Sequence, residues 1–216
     1  MDVHASEKEQ VEALKKWWKE NGSSVITGIL LGLSVLLGGK AWFSYQETRA
    51  LSASNIYAQM IAALGRDDSE AVRTYANQLI GDYSGSGYAP LAALALANVA
   101  ITENEPAAAQ AQLQWALDHA DKDELRHTAR MRLIRVLIDR NQLQEARQQL
   151  DAVGEAGAYD YLYAELRGDL AMAEGDTARA ARAYRQAMDS MPTQAPNAAL
   201  LTAKYENVAG AAGSPR

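Results

Sequence analysis

The sequence predicts an all-α protein, with one N-terminal membrane-spanning helix followed by a superhelix of packed helical hairpins. Three observations carry that reading. Ala occupies 42 of 216 positions and Phe only one, so the strongest helix former stands where strand-favouring residues would be needed for a sandwich or barrel. Residues 21–39 are 19 consecutive positions without a charge. A small–large–small pattern recurs downstream with spacings of 38, 37 and 34 residues, about the length of one helical hairpin.

Composition also narrows function. A net charge of −6 and a pI near 5.1 argue against a nucleic-acid-binding surface, which needs a basic stripe. The chain has no Cys, which removes disulfides, thiolate metal sites and Cys nucleophiles together. Three histidines, His4, His119 and His127, leave little material for acid–base or metal chemistry. Phosphate-binding, zinc-protease, nucleophile-elbow and dinucleotide fingerprints do not occur. The expectation is a protein without enzymatic activity, cofactor or metal.

Taken in order, residues 1–20 read as a cytoplasmic amphipathic segment. Ser6 and Glu9 suit a capping box, and Val11, Leu14 and Trp18 share one stripe of a short helix over residues 6–20. Residues 21–43 read as the transmembrane helix. A 19-residue window over residues 25–43 admits only Lys40 and rises about 28 Å, close to the hydrocarbon thickness of a bilayer. Trp17 and Trp18 precede the apolar run and Trp42, Phe43 and Tyr45 follow it, as interfacial aromatics do. A cleaved signal peptide is the competing reading, but five acidic groups precede the run and bulky aromatics fill the cleavage position. Lys8, Lys15, Lys16 and Lys19 against Lys40 and Arg49 place the N-terminus in the cytoplasm and the larger domain in the periplasm of a bacterium. Gly28 and Gly32 form a GxxxG pair that would admit a partner helix. Asn21-Gly22-Ser23 matches a glycosylation sequon but abuts the membrane on the cytoplasmic side.

Residues 47–208 read as the hairpin domain. Its clearest unit sets Gly168 where one helix approaches its partner closely, Ala180, Tyr184 and Ala187 on the partner's packing face, and Pro192 at the close. That frame resembles the tetratricopeptide repeat. Weaker copies are Ala109, Leu113 and Ala116 after Asn104-Glu105-Pro106, then Ala146, Leu150 and Val153 after Asn141-Gln142, and Ala71 with Tyr75 after a turn over residues 65–69. A helix over residues 198–208 caps the stack, and residues 209–216 form a flexible tail. Residues 81–90 interrupt the first two hairpins as a loop or a hinge.

Arg126, Arg130, Arg132, Arg135 and Arg140 crowd one predicted helix, with Arg147 on the next, while Asp151, Glu155, Asp160, Glu165, Asp169, Glu174 and Asp176 follow. These charges either pair between neighbouring repeats or form a polarised groove for an acidic or extended client. Tyr159, Tyr161 and Tyr163 would add contact surface, though two-residue spacing keeps them off one helical face. Asp118, His119, Asp121, Asp123 and Glu124 cluster in a turn, read as a solvated acidic turn or as a cation or catalytic site.

Four motifs, one before the anchor and three after it, resemble the YfgM family: Gln10-Val11-Glu12-Ala13-Leu14-Lys15, Tyr88-Ala89-Pro90-Leu91-Ala92-Ala93-Leu94-Ala95-Leu96-Ala97, Leu166-Arg167-Gly168-Asp169 with Gly175-Asp176, and Lys204-Tyr205-Glu206-Asn207. The resemblance runs nearly end to end. It implies an inner-membrane ancillary subunit of the SecYEG translocon that contacts the membrane-anchored periplasmic chaperone PpiD. Such a protein would help pass secretory client proteins to periplasmic chaperones. It further implies negative regulation of a stress response regulator through residues 1–20. The alternative is a membrane-tethered scaffold for another cell-envelope assembly.

Overall fold

The computed structural model describes the backbone of residues 3–212 and the side chains of residues 8–210. Its described residues are helical and contain no strand. They divide into two compact units, Met1–Ser52 and Ala53–Arg216.

The first unit belongs to α1 (Val3–Leu64), whose last turns, from Ala53 onward, belong to the second. Among the described residues α1 is the one helix long and apolar enough to cross a membrane, and 6% of its most apolar stretch is buried within the protein. A core helix would show the reverse; here Leu30, Val35, Leu36 and Leu37 are each more than half exposed. The Thr27, Ser34 and Thr48 hydroxyls donate to the Ser23, Leu30 and Ser44 carbonyls at 2.8–2.9 Å. That back-bonding satisfies each hydroxyl inside the helix, as hydrocarbon requires of Thr27 and Ser34 in the apolar run. No separate helix over residues 6–20 is present. α1 starts at Val3, so Ser6 lies within it rather than at its N-cap; the Ser6 side chain falls outside the described residues. The helix passes through Asn21-Gly22-Ser23, where Asn21 Nδ2 donates to the Trp17 carbonyl at 3.1 Å. Gly22 lies close to the Trp18 ring, 3.2 Å from where its Cβ would stand.

The second unit is a stack of helical hairpins. The end of α1 pairs with α2 (Ser69–Asp82), α3 (Tyr88–Thr102) with α4 (Pro106–His119), α5 (Asp123–Asp139) with α6 (Leu143–Asp151), and α7 (Asp160–Ala173) with α8 (Thr177–Ser190). The capping helix α9 (Ala198–Ala212) extends four residues past the expected 208. The rest of the expected tail, residues 213–216, lies outside the described residues.

One turn chemistry makes all four hairpins. Asp67, Asn104 and Asn141 adopt φ of 54°, 60° and 58°, and Gly175 adopts 80°. The next amide in each turn (Asp68, Glu105, Gln142, Asp176) donates to the carbonyl five residues back, at 2.7–3.1 Å. This is the Schellman closure, which needs a residue tolerant of the left-handed region; Gly, Asn and Asp are those residues. Asp68 and Asp176 then cap the second helices by accepting from the Ala71 and Arg179 amides at 3.1 and 2.8 Å.

Five residues past each left-handed position stands the first packing residue of the second helix: Val72, Ala109, Ala146 and Ala180, none more than 1% exposed. The first repeat is therefore framed by Val72, Ala76 and Leu79, one residue on from the Ala71–Tyr75 register, and Ala71 and Tyr75 are only half-buried. Reading small–aromatic as Ala–Tyr misleads there, because the turn sets the register. In the third repeat Val153 lies beyond α6, which ends at Asp151 ahead of Gly154 and Gly157 (φ 55°); Ala156 is the next buried residue.

The buried hydrophobic residues form three clusters along the stack. Met60, Val72 and Leu79 fill one end, Leu113, Leu133, Ile134 and Leu166 the middle, and Tyr184, Leu201 and Val208 the far end. Each hairpin buries its face only against neighbours, so α9 closes the last one. Between α2 and α3 the chain makes a tight turn, with the Ser86 amide on the Tyr83 carbonyl at 2.8 Å and the Ala89 amide on the Ser86 carbonyl at 3.1 Å. Pro90 follows within the first turn of α3, where no donor is needed.

Candidate functional site

Of the frame residues Gly168, Ala180, Tyr184, Ala187 and Pro192, Gly168 and Tyr184 meet directly between α7 and α8. A Cβ at Gly168 would stand 2.3 Å from Tyr184 Cε1, so the ring lies directly against the α7 backbone. Ala180, Tyr184 and Ala187 are buried, and Met191 is extended (ψ 148°), as a residue before Pro192 prefers.

Around Tyr184 the structure brings together a polar cluster whose members the sequence places in separate motifs. Glu165, 2% exposed, and Asp169 project from α7 one turn apart. The Lys204 ammonium donates to Glu165 Oε1 at 2.7 Å and to both Asp169 oxygens at 2.8 and 2.9 Å. Asn197 Nδ2 donates to Glu165 Oε2 at 2.7 Å, and the Tyr184 hydroxyl donates to Asp169 Oδ1 at 2.8 Å. The detectable signal is a carboxylate pair four residues apart, Glu165 buried and Asp169 half-buried on α7, which demands a cation beside it.

Both proton donors titrate late. Burial lowers the Lys204 pKa, but hydrogen bonds and charge from Asp169 and Glu165 outweigh it and leave it above 10.5. Burial, then the Asp169 hydrogen bond, push the Tyr184 hydroxyl up from 10.0. The folded domain thus holds both protons more tightly than the unfolded chain. Their contribution is fully present below pH 10 and is lost as pH rises through and above that point. Thermal melts are expected to stay level from about pH 7 to about pH 9 and to fall steeply by about pH 11, with a shallower fall in Tyr184→Phe. Parallel alkaline profiles for both proteins would contradict this origin.

The seven residues expected to bind a client separate. Arg126 is tied to Asp123 and to the Ala120 carbonyl, which holds the Asp123 carboxyl below its ordinary range. Arg130 donates to the Ala152 carbonyl at 2.9 Å, bracing the loop after α6. Tyr163 is 1% exposed and its hydroxyl meets His127 Nδ1 at 2.8 Å. Tyr159 stacks on the same imidazole, 4.5 Å between centroids. Tyr163 fastens α5 to α7 and Tyr159 fastens it to the turn just before α7, which corrects the view of the trio as contact surface; Tyr161 is half-buried on α7. Glu174 pairs with Arg147 of the preceding hairpin and with Arg179 of its own, and Arg73 reaches Glu103 and Glu105 in the next hairpin. His119 stacks on Trp115 at 4.0 Å and its Nδ1 meets the Trp115 carbonyl at 2.9 Å. No group able to hold a metal ion occurs among the described residues.

Arg132 and Arg135 behave differently. They are exposed on α5 without a hydrogen bond or ion pair among the described residues. With Ile101, Pro106, Val136 and Asp139 they line a groove of about 440 Å³ between the end of α3 and α5. Ile101 is 51% exposed, and Arg140, in the same wall, donates to Gln110. The groove therefore offers an apolar floor and two free guanidinium groups, which suits an extended peptide. Gly28 and Gly32 have nothing within 4 Å of where a Cβ would stand.

A family model for a tetratricopeptide repeat-like domain matches residues 15–210. Full-length relatives agree. A protein of Escherichia coli (strain K12), called the ancillary SecYEG translocon subunit, is 31% identical over 90% of this chain and 93% of its own length. A Haemophilus influenzae protein of the same name is 30% identical over 88% and 92%, and one from Aggregatibacter actinomycetemcomitans 28% identical over 85% and 89%. This chain belongs to the ancillary SecYEG translocon subunit family. The family's repeat-like domain is what the Schellman turns and the Gly168–Tyr184 contact build here, and the matched span reaches back through the apolar part of α1.

Proposed function

We propose that the chain is a non-enzymatic, membrane-anchored ancillary subunit of the SecYEG translocon. Its uncleaved α1 holds it in the bacterial inner membrane, N-terminus cytoplasmic, with the repeat domain in the periplasm. There it binds emerging secretory proteins and passes them to periplasmic chaperones, PpiD being the membrane-anchored partner. Residues 1–20 are the segment for regulation on the cytoplasmic side. The observation that carries the reading is end-to-end similarity to relatives named as translocon subunits, anchor included. The Arg132–Arg135 groove supports a peptide-binding role, because tetratricopeptide-type stacks bind partners through side chains left free on their helices.

Tagged full-length protein purified in mild detergent should run on native gels with translocon subunits and PpiD, identified by mass spectrometry. Deleting residues 1–45 should abolish that association while the repeat domain keeps its helical signal. A band holding other envelope proteins without translocon subunits would overturn the reading in favour of a scaffold.

A further inference from the structure

The helices α6, α7 and α8 enclose a second groove, of about 530 Å³, on other surfaces than the Arg132–Arg135 groove. Four arginines line it: Arg147 from α6, Arg167 from α7, and Arg179 and Arg182 from α8. Glu174 already sits among them, its two carboxylate oxygens taken by Arg147 and Arg179, and its side chain is 16% exposed. Arg167 and Arg182 are exposed and have no hydrogen bond or ion pair among the described residues. Leu150, Leu170, Ala171 and Ala183 supply an apolar floor. The remaining acid in the wall is Asp151.

From this arrangement we infer that the α6–α8 groove is a docking site for an acidic segment of a partner protein, with Arg167 and Arg182 reading its carboxylates. Glu174 shows the recognition mode within the chain itself: a carboxylate between two guanidinium groups, each a planar fork matched to it. A second and third carboxylate entering from a partner would meet Arg167 and Arg182 in the same way. The apolar floor suits the aliphatic stems of Glu side chains, and four arginines concentrated in a chain of net charge −6 attract an acidic segment against the overall field. Charge and geometry alone carry this site, so it does not depend on the translocon reading.

The test uses the full-length chain in detergent micelles and a fluorescein-labelled hexaglutamate peptide, read by fluorescence anisotropy at low salt. Binding is expected to weaken about tenfold or more in the Arg167→Glu/Arg182→Glu double variant. It should stay unchanged in Arg132→Glu/Arg135→Glu, and hexaglutamine should not compete. Both pairs are exposed, and equal thermal melts would show that each variant is folded. Failure of hexaglutamate to bind, equal binding by the Arg167/Arg182 variant, or transfer of the loss to Arg132/Arg135 would each overturn the assignment. Loss of translocon association with hexaglutamate binding intact would instead strike the proposed function and leave this site standing.

Discussion

Replacing Lys204 by Met is expected to cost about 3–5 kcal/mol, because it strands the buried Glu165 carboxylate and strips two hydrogen bonds from Asp169. Asn197 and Tyr184 each retain one contact to the carboxylates, but neither carries charge. For a domain of this size the melting temperature should drop by roughly 10 °C. Adding Glu165→Gln to Lys204→Met should recover much of the loss, since a neutral amide costs far less to bury than an unpaired carboxylate. The measurement is calorimetry or circular dichroism on the two single variants and the double. Additive losses would show that Lys204 acts through packing of its stem rather than as a counter-ion.

The second large effect is expected where α7 meets α8. Tyr184→Ala should cost about 3–5 kcal/mol, as truncation of a buried aromatic does, because the ring packs on Gly168 and its hydroxyl serves Asp169. Gly168→Ala alone should cost about 1–3 kcal/mol by overpacking, since the new Cβ would meet the ring at 2.3 Å. The two effects should not add. With Tyr184 already truncated, the methyl added at position 168 has room, and its helix propensity gains about 1 kcal/mol over Gly. Gly168→Ala is therefore expected to change sign, from destabilising in the native background to neutral or stabilising in Tyr184→Ala. Equal costs in both backgrounds, measured by urea denaturation, would mean that the helices separate rather than clash.

Much of the fold is legible because its chemistry is local. The uncharged run of α1, the left-handed turn residues Asn104, Asn141 and Gly175, and the Gly168–Tyr184 frame each lie within a short window. Registers fail where a local cue is ambiguous. Ala71 and Tyr75 imitate the small–aromatic pattern, yet the turn at Asp67 brings Val72 inward instead. The helix over residues 6–20 does not end before the apolar run, because neighbouring groups on the same helix satisfy Asn21 and cover Gly22.

The candidate site is less legible, for a physical reason. An arginine's charge is visible in a sequence, but whether the fold itself takes it up depends on what lies a repeat away. Arg126, Arg130 and Arg147 are occupied by carbonyls and carboxylates, while Arg132, Arg135, Arg167 and Arg182 remain free among the described residues. The tyrosines divide in the same manner, Tyr163 going into the core against His127.

Helix content, hairpin turns and the apolar length of α1 follow from interactions among residues a few positions apart, so the order of amino acids alone settles them. Pairing of Lys204 with Glu165 and Asp169, across 39 and 35 residues, exists only once the hairpins stack. Stacking removes water from the carboxylates and brings the cation to them, and the same packing leaves two pairs of arginines facing solvent.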